Sequence, residues 1–160
     1  MSTLGFAKKE EFNLATLTLD IVRSSEIEGE LLNYDQVRSS IARRLGIITA
    51  GIVPSSSHIE GVVEMTLDAT QRHTLPLTED RLFGWHAALF PSGYSGPYKI
   101  EVERYRSGEM QVVSGAMGKE KVHYEAVKAD DVKNQMDRFL DWFNNENRLD
   151  AVLKAAIAHF

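Results

Sequence analysis

Arg23-Ser24-Ser25-Glu26-Ile27-Glu28-Gly29-Glu30, followed by Leu31-Leu32, ends one helical pattern with three carboxylates and a glycine. Gly29 stands where a left-handed C′ residue closes a helix. Glu26, Glu28 and Glu30 therefore crowd a helix C-terminus, where the macrodipole already carries partial negative charge. An acid there is disfavoured by about 0.3–1 kcal/mol unless a cation faces it. Two readings of Glu28 follow. It is either a solvated carboxylate beside a local arginine, or a carboxylate whose cation comes from elsewhere.

Upstream, Leu14, Leu17 and Ile21 recur at helical spacing from about Lys8. Residues 1–7 show no period and are expected to form a loose arm. Downstream, Asn33-Tyr34-Asp35-Gln36 reads as a capping box, with Asn33 as N-cap and Gln36 at N3. The helix it opens carries Val37, Ile41 and Leu45 on one face, and Gly46 closes it. Arg38, Arg43 and Arg44 lie elsewhere on its surface. Ser-Ser-Ile-Ala-Arg-Arg-Leu-Gly could suggest a DNA-reading helix. The net charge of −5 and the lack of a companion basic patch argue against nucleic acid as a partner.

Residues 50–57 read as a loop, broken by Gly51, Pro54 and three serines. Ser57-His58-Ile59-Glu60 reads as a second capping box. Its helix carries Ile59, Val62, Val63, Thr66 and Ala69 to about His73. Thr78 caps the next, with Glu79 and Asp80 in the first turn, where acids suit the dipole. Leu82, Trp85 and Leu89 share one face of that helix, and Phe83, Ala87 and Phe90 the other. Apolar residues on both sides predict a buried helix at the centre of the core.

Residues 91–97 form a turn region. The period then changes to two, with Ile100 and Val102 alternating with Glu101 and Glu103, which predicts a strand. Ser107-Gly108 turns the chain into a second strand at 110–114, and residues 121–124 supply a short third. So small a sheet cannot be a core and is expected as an exposed edge. Arg104 and Arg106 would discourage edge-to-edge aggregation, and Tyr105 and Tyr124 read as packing residues. From about Asp130, Val132, Met136, Phe139, Leu140 and Phe143 form a helical stripe that Asn144, Asn145 and Asn147 end. Asn147 is expected to cap a last helix with a broad apolar face of Leu149, Val152, Leu153, Ala156, Ile157 and Phe160. That face is exposed or covered by something outside the chain.

The chain has 160 residues, 43% of them hydrophobic and 26% charged, ordinary for one globular domain. There is no cysteine, hence no disulfide framework and no thiolate metal site. No apolar run approaches the ~20 residues of a membrane span, and no secretory signal pattern opens the chain. The expected compartment is the cytoplasm. His86 beside Trp85 reads as a hydrogen-bonded core histidine. His58, His73 and His159 read as surface positions, and no pair has metal-ligand spacing.

Ser24-x-x-x-Glu28-Gly29 resembles the inhibitory-helix motif of the Fic family, in which Ser or Thr is followed four residues later by Glu and then Gly or Asn. Residues 24–30 together with Asp35-Gln36-Val37-Arg38-Ser39-Ser40-Ile41-Ala42-Arg43-Arg44-Leu45-Gly46 resemble the N-terminal part of bacterial Fic proteins. Leu82-Phe83-Gly84-Trp85-His86-Ala87-Ala88-Leu89-Phe90-Pro91 is similar to a Fic-domain helix. Met110-Gln111-Val112-Val113-Ser114-Gly115 is similar to the family's flap. Residues 122–126 and 139–144 also match, so the resemblance spans most of the chain from about residue 10. Glu103 and Val127 depart from it, standing where a small residue and a proline are usual.

The resemblance implies a mainly α, Fic-like domain with a β-hairpin flap, truncated before the catalytic loop and helix. Residues 1–46 would form the regulatory region. Residues 58–160 would form the front half of the Fic domain, with the flap hairpin at 99–124. It implies transfer of AMP from ATP, with Mg²⁺, to a protein hydroxyl. The family's catalytic motif, His-x-Phe-x-[Asp/Glu]-Gly-Asn-Gly-Arg-x-x-Arg, supplies a general base and holds metal and phosphates. None of the five histidines begins such a motif. This chain alone is thus expected to be inactive, with no catalytic residue, metal or cofactor of its own. Ser24, Glu28 and Gly29 would be the inhibitory residues, with Glu28 pairing with the motif's second arginine. Met110 to Gly115 would hold a protein substrate by main-chain hydrogen bonds. A homodimer is compatible with the resemblance, and a membrane partner is not expected. The alternative is a non-catalytic module that supplies Glu28 to a separate Fic domain.

Overall fold

A computed structural model describes residues 3–116 and 118–159. Among them are six helices and two small antiparallel hairpins. The helices are α1 (Thr3–Ile27), α2 (Tyr34–Leu45), α3 (Ser57–Gln71), α4 (Glu79–Leu89), α5 (Ala129–Asn145) and α6 (Ala151–His159). The strands are β1 (Tyr94–Ser95), β2 (Tyr98–Lys99), β3 (Gln111–Ser114) and β4 (Lys121–Glu125). The chain divides into two compact units, residues 1–74 with 84–100, and residues 75–83 with 101–160.

The first unit holds the core. Leu14 and Ile21 from α1, Val37, Ile41 and Ala42 from α2, and Ile59, Val62, Val63 and Leu67 from α3 are buried together. These are the stripes that 3.6-residue spacing brings to one face of each helix. Leu17, Val22, Leu32, Ile47 and Leu89 pack around the cluster. Three polar side chains are buried with it: Thr18, Ser39 and Ser40. Each of the first two is satisfied locally, as burial requires. The Thr18 hydroxyl donates to the Leu14 carbonyl at 2.6 Å. The Ser39 hydroxyl donates to the Asp35 carbonyl at 2.6 Å and accepts from the Val53 N–H at 3.0 Å, which ties the 50–56 loop to α2.

Most helix ends follow their sequence signals. The Asn33 side chain accepts from the Gln36 N–H at 3.0 Å, and Gly46, left-handed at φ +66°, closes α2. Gln36 does not reach back to complete the capping box, because its side-chain oxygen accepts from the Ser56 N–H instead. Thr78 accepts from the Arg81 N–H at 3.2 Å at the start of α4. Two caps fall elsewhere than expected. Ser56, not Ser57, caps α3, accepting from the Ile59 N–H. Asp150, not Asn147, caps α6, accepting from the Val152 and Leu153 N–H groups. Residues 3–7, expected as part of an arm, are the first residues of α1; Met1 and Ser2 lie outside the described residues, as does Phe160.

Two larger expectations are corrected. No residue of α4 is buried, so α4 is not the centre of the core. Its apolar residues are half-buried on each side, and its two halves belong to different units. Within the first unit, Trp85 donates its indole N–H to Asp68 of α3 at 2.9 Å. Gly61 of α3 lies against the backbone of Ala88. The second correction concerns the strands. Residues 100–103 form no strand, although their apolar residues alternate. Glu103 has φ +59°, which an extended ladder does not accommodate. The Glu101 carboxylate accepts from the Ser107 N–H and hydroxyl, closing 101–107 as a loop. Within and just past residues 91–97, expected as a turn region, lies the short β1–β2 hairpin.

The second unit contains α5, α6 and the β3–β4 hairpin. Phe139, Trp142 and Phe143 of α5 form an aromatic cluster with ring centroids 5.8–6.4 Å apart. The Asn144 amide donates to the Leu77 carbonyl and its carbonyl accepts from the Leu77 N–H, each at 2.8 Å. Phe83 meets Tyr105 edge-on with centroids 5.1 Å apart. On α6, Val152, Leu153 and Ile157 are exposed.

Candidate functional site

α1 ends in a complete Schellman motif. The Glu30 N–H donates to the Ser25 carbonyl at 2.9 Å, and the Gly29 N–H donates to the Glu26 carbonyl at 3.0 Å. Gly29 takes φ +83° with open space around the position of a Cβ. This is the geometry a C′ glycine supplies at little cost. Ser24 and Glu28, four residues apart, are both exposed, and that spacing puts them on one side of the helix end.

The three carboxylates at this end differ in their partners. Glu26 is paired with Arg23, one turn earlier. Glu30 Oε1 lies 2.6 Å from Nε2 of His58, in the first turn of α3. Glu28 has no hydrogen-bond or ion-pair partner among the described residues. Glu30 and His58 border a cleft of ≈ 490 Å³ that Phe90, Ser92 and Tyr94 also line.

The arginines of α2 are engaged elsewhere. Arg43 binds Ser55 and Glu60, the latter at 2.6 Å, while Arg44 reaches Glu60 at 3.2 Å and Glu64 at 3.1 Å. Arg38 donates to the Ala50 carbonyl and to Thr49. Partial burial pushes the Glu60 carboxyl up, but the Ser55 hydroxyl and the Arg43 guanidinium donating to it outweigh that. Glu60 therefore titrates below the ordinary glutamate range. The residue expected to close a capping box is instead the acceptor that fastens α2 to α3. The sequence reading placed Arg43 and Arg44 on the surface of α2 and gave no sign of this.

The flap residues Met110 to Gly115 lie on or beside β3. β3 pairs with β4, not with residues 100–103, in an antiparallel register that sets Gln111 opposite Glu125 and Ser114 opposite Lys121. The hairpin thus spans 111–125. The Ala126 N–H donates to the Met110 carbonyl at 2.9 Å and extends the pairing. The register shifts between Val112, opposite Tyr124, and Val113, opposite Val122. His123 is left over as a bulge, the device that bends a strand and re-aims a side chain. Its Nε2 lies 2.6 Å from the Ser114 hydroxyl. Gly115 takes φ +112°, and a Cβ there would meet the Lys119 carbonyl at 2.6 Å. Every side chain of β3 and β4 is exposed.

Among the described residues, no group of three or more His, Asp or Glu side chains is placed to hold a metal ion. No helix among them is long and apolar enough to cross a membrane. Residues 1–47 match a family described as "Domain of unknown function (DUF4172)". That match covers α1, α2 and the Glu28 helix end. No curated protein matches the chain. The exposure of Ile27 and Leu31 on either side of the site went unread in the sequence. Apolar residues near a helix end look the same whether they face the core or solvent.

Proposed function

We propose that this chain is the N-terminal, regulatory portion of a Fic-family protein that transfers AMP from ATP to a protein hydroxyl, and that Glu28 holds the activity in check. One observation carries the reading: a solvent-facing carboxylate at a helix C-terminus, without a cation of its own among the described residues. In that position it is favoured by any guanidinium that approaches it, since the pair relieves repulsion with the helix dipole and forms charge-assisted hydrogen bonds. An arginine so engaged is withdrawn from the nucleotide phosphates it would otherwise bind. Ser24 lies one turn earlier on the same side and braces the contact. Gly29 ends the helix so that Glu28 stands at its tip.

Among the described residues no group of three or more His, Asp or Glu side chains is placed to hold a metal ion, and the reading assigns no step of the transfer to them. ATP and Mg²⁺ would be held by a catalytic segment outside this chain. The β3–β4 hairpin suits the docking of a protein substrate, because its strands have free edges that can pair with an extended segment. Met110 to Gly115 would supply that edge.

The test uses the complete protein that carries this chain, incubated with labelled ATP and Mg²⁺. Glu28→Gly should raise incorporation of AMP into protein; unchanged labelling would overturn the reading. If Glu28 instead serves a separate chain, adding this chain to a Fic domain lacking its own inhibitory helix should suppress AMP transfer.

A further inference from the structure

The β3–β4 hairpin is pinned at two places, although every side chain of its strands is exposed. Two strands alone are marginal in water, and β3 pairs only with β4 among the described residues. At the turn, the Gly118 N–H donates to the Glu120 carboxylate and the Lys119 N–H to the Ala116 carbonyl, each at 2.8 Å. Between the strands, the Ser114 hydroxyl lies 2.6 Å from Nε2 of His123. This second contact needs an irregular ladder. On an unbroken ladder continuing from the Val112–Tyr124 pair, Val113 would oppose His123 and Ser114 would oppose Val122. His123 and Ser114 would then point to opposite faces, because successive side chains alternate. The observed register instead sets Val113 opposite Val122 and Ser114 opposite Lys121, with His123 as the extra residue. A bulge re-aims its residue, and here it brings the imidazole to the Ser114 hydroxyl.

The bond and the bulge therefore hold each other in place. Losing the bulge would slip one end of the ladder by one residue. Such a slip moves side chains to the other face and changes which N–H and C=O groups point out of the pair. An extended peptide that adds to β3 pairs with those groups. We propose that Ser114 and His123 are positioning residues that lock the register of the hairpin, and so fix the edge that Met110 to Gly115 offer to a protein substrate. This role rests on the substrate docking proposed above and names the two side chains that give the docking edge its shape.

Two measurements test it. In the full 160-residue chain, amide hydrogen exchange across residues 111–125 is compared for wild type, Ser114→Ala, His123→Phe, the double variant and the conservative Ser114→Thr. A net hydrogen bond shifts an equilibrium by roughly two- to tenfold, so exchange should quicken by about that factor in each disruptive single variant. Ser114→Thr keeps the hydroxyl and should stay near wild type. The double variant should exchange no faster than the faster single one, since both remove the same bond. The thermal midpoint should not move, because these side chains are exposed. In the complete protein carrying Glu28→Gly, the same variants are assayed with labelled ATP and Mg²⁺. Ser114→Ala and His123→Phe should lower incorporation of AMP into protein by roughly two- to tenfold, with the KM for ATP unchanged, and Ser114→Thr should restore it. Unchanged exchange, or additive effects in the double variant, would overturn the lock. Faster exchange with undiminished labelling would overturn the positioning role and leave the regulatory reading of Glu28 intact. A raised KM for ATP would overturn it as well, by placing the effect at the nucleotide. If Glu28→Gly gives no labelling above wild type, the regulatory reading itself fails, while the exchange rates still decide the lock.

Discussion

Gly61 of α3 lies so close to Ala88 that a methyl group on its Cα would sit 1.9 Å from the Ala88 carbonyl oxygen. No heavy-atom contact that short survives, and the obstacle is backbone, which cannot swing aside. Alanine is the better helix former by about 1 kcal/mol, so an exposed glycine here would be improved by the change. Crowding reverses the sign. Gly61→Ala should destabilise by about 1–3 kcal/mol, seen as a lower urea midpoint with an unchanged slope.

Gly29→Ala tests the helix end. The space around Gly29 is open, so the penalty comes from φ +83° alone, about 1 kcal/mol for a residue with a Cβ. On the regulatory reading the same change should loosen the presentation of Glu28. Activity of the complete protein should then rise, though by less than with Glu28→Gly. A calorimetric midpoint and an AMP-transfer assay on one preparation check both parts.

Glu60 gives a pH dependence. Burial raises its carboxyl, but donation from Ser55 and Arg43 more than offsets that, and the folded-state value lies below 4.5. A depressed carboxyl stabilises the fold at pH values above its unfolded value, and the contribution is lost as pH falls through the folded one. Stability should therefore decline below about pH 4.5, the unfolded value. Glu60→Gln should flatten that decline while lowering stability at pH 7. Urea titrations at several pH values measure the slope.

Tyr105 responds at the other end of the scale. Burial, with the neighbouring Glu79 and Asp137 carboxylates, pushes its phenol up to about 12. The neutral form is favoured by folding, so the contribution is present below the ordinary value of 10.0 and is lost as pH rises towards 12. Of the five tyrosines, one should ionise late in an ultraviolet titration. Tyr105→Phe should remove that late step.

Much of the first unit was legible as pattern. Leu14, Ile21, Val37, Ile41, Ile59, Val62 and Val63 recur at helical spacing, and Asn33, Gly29 and Gly46 sit where caps belong. Periodicity could not show that Thr18 and Ser39 are buried, because their hydroxyls are satisfied by local acceptors and, for Ser39, a tertiary donor that leave no trace in spacing. It misjudged α4 because apolar residues on two faces say that both are covered, not how deeply. It placed a strand at 100–103 because alternation ignores backbone sign, and Glu103 at φ +59° breaks the extended run. At the Glu28 end, Gly29 announced the helix stop. Which of the three acids is left without a partner depended on Arg23 beside Glu26 and on His58, distant in sequence, standing against Glu30.

The β3–β4 hairpin lends no side chain to any interior. Its sequence is therefore decoupled from the folding of the helices, and substitutions along it can change what the protein touches while the scaffold stays as stable as before. Such a segment is open to rapid retuning over evolutionary time. On the proposed reading, an alanine scan of it would read out substrate docking with little interference from misfolding.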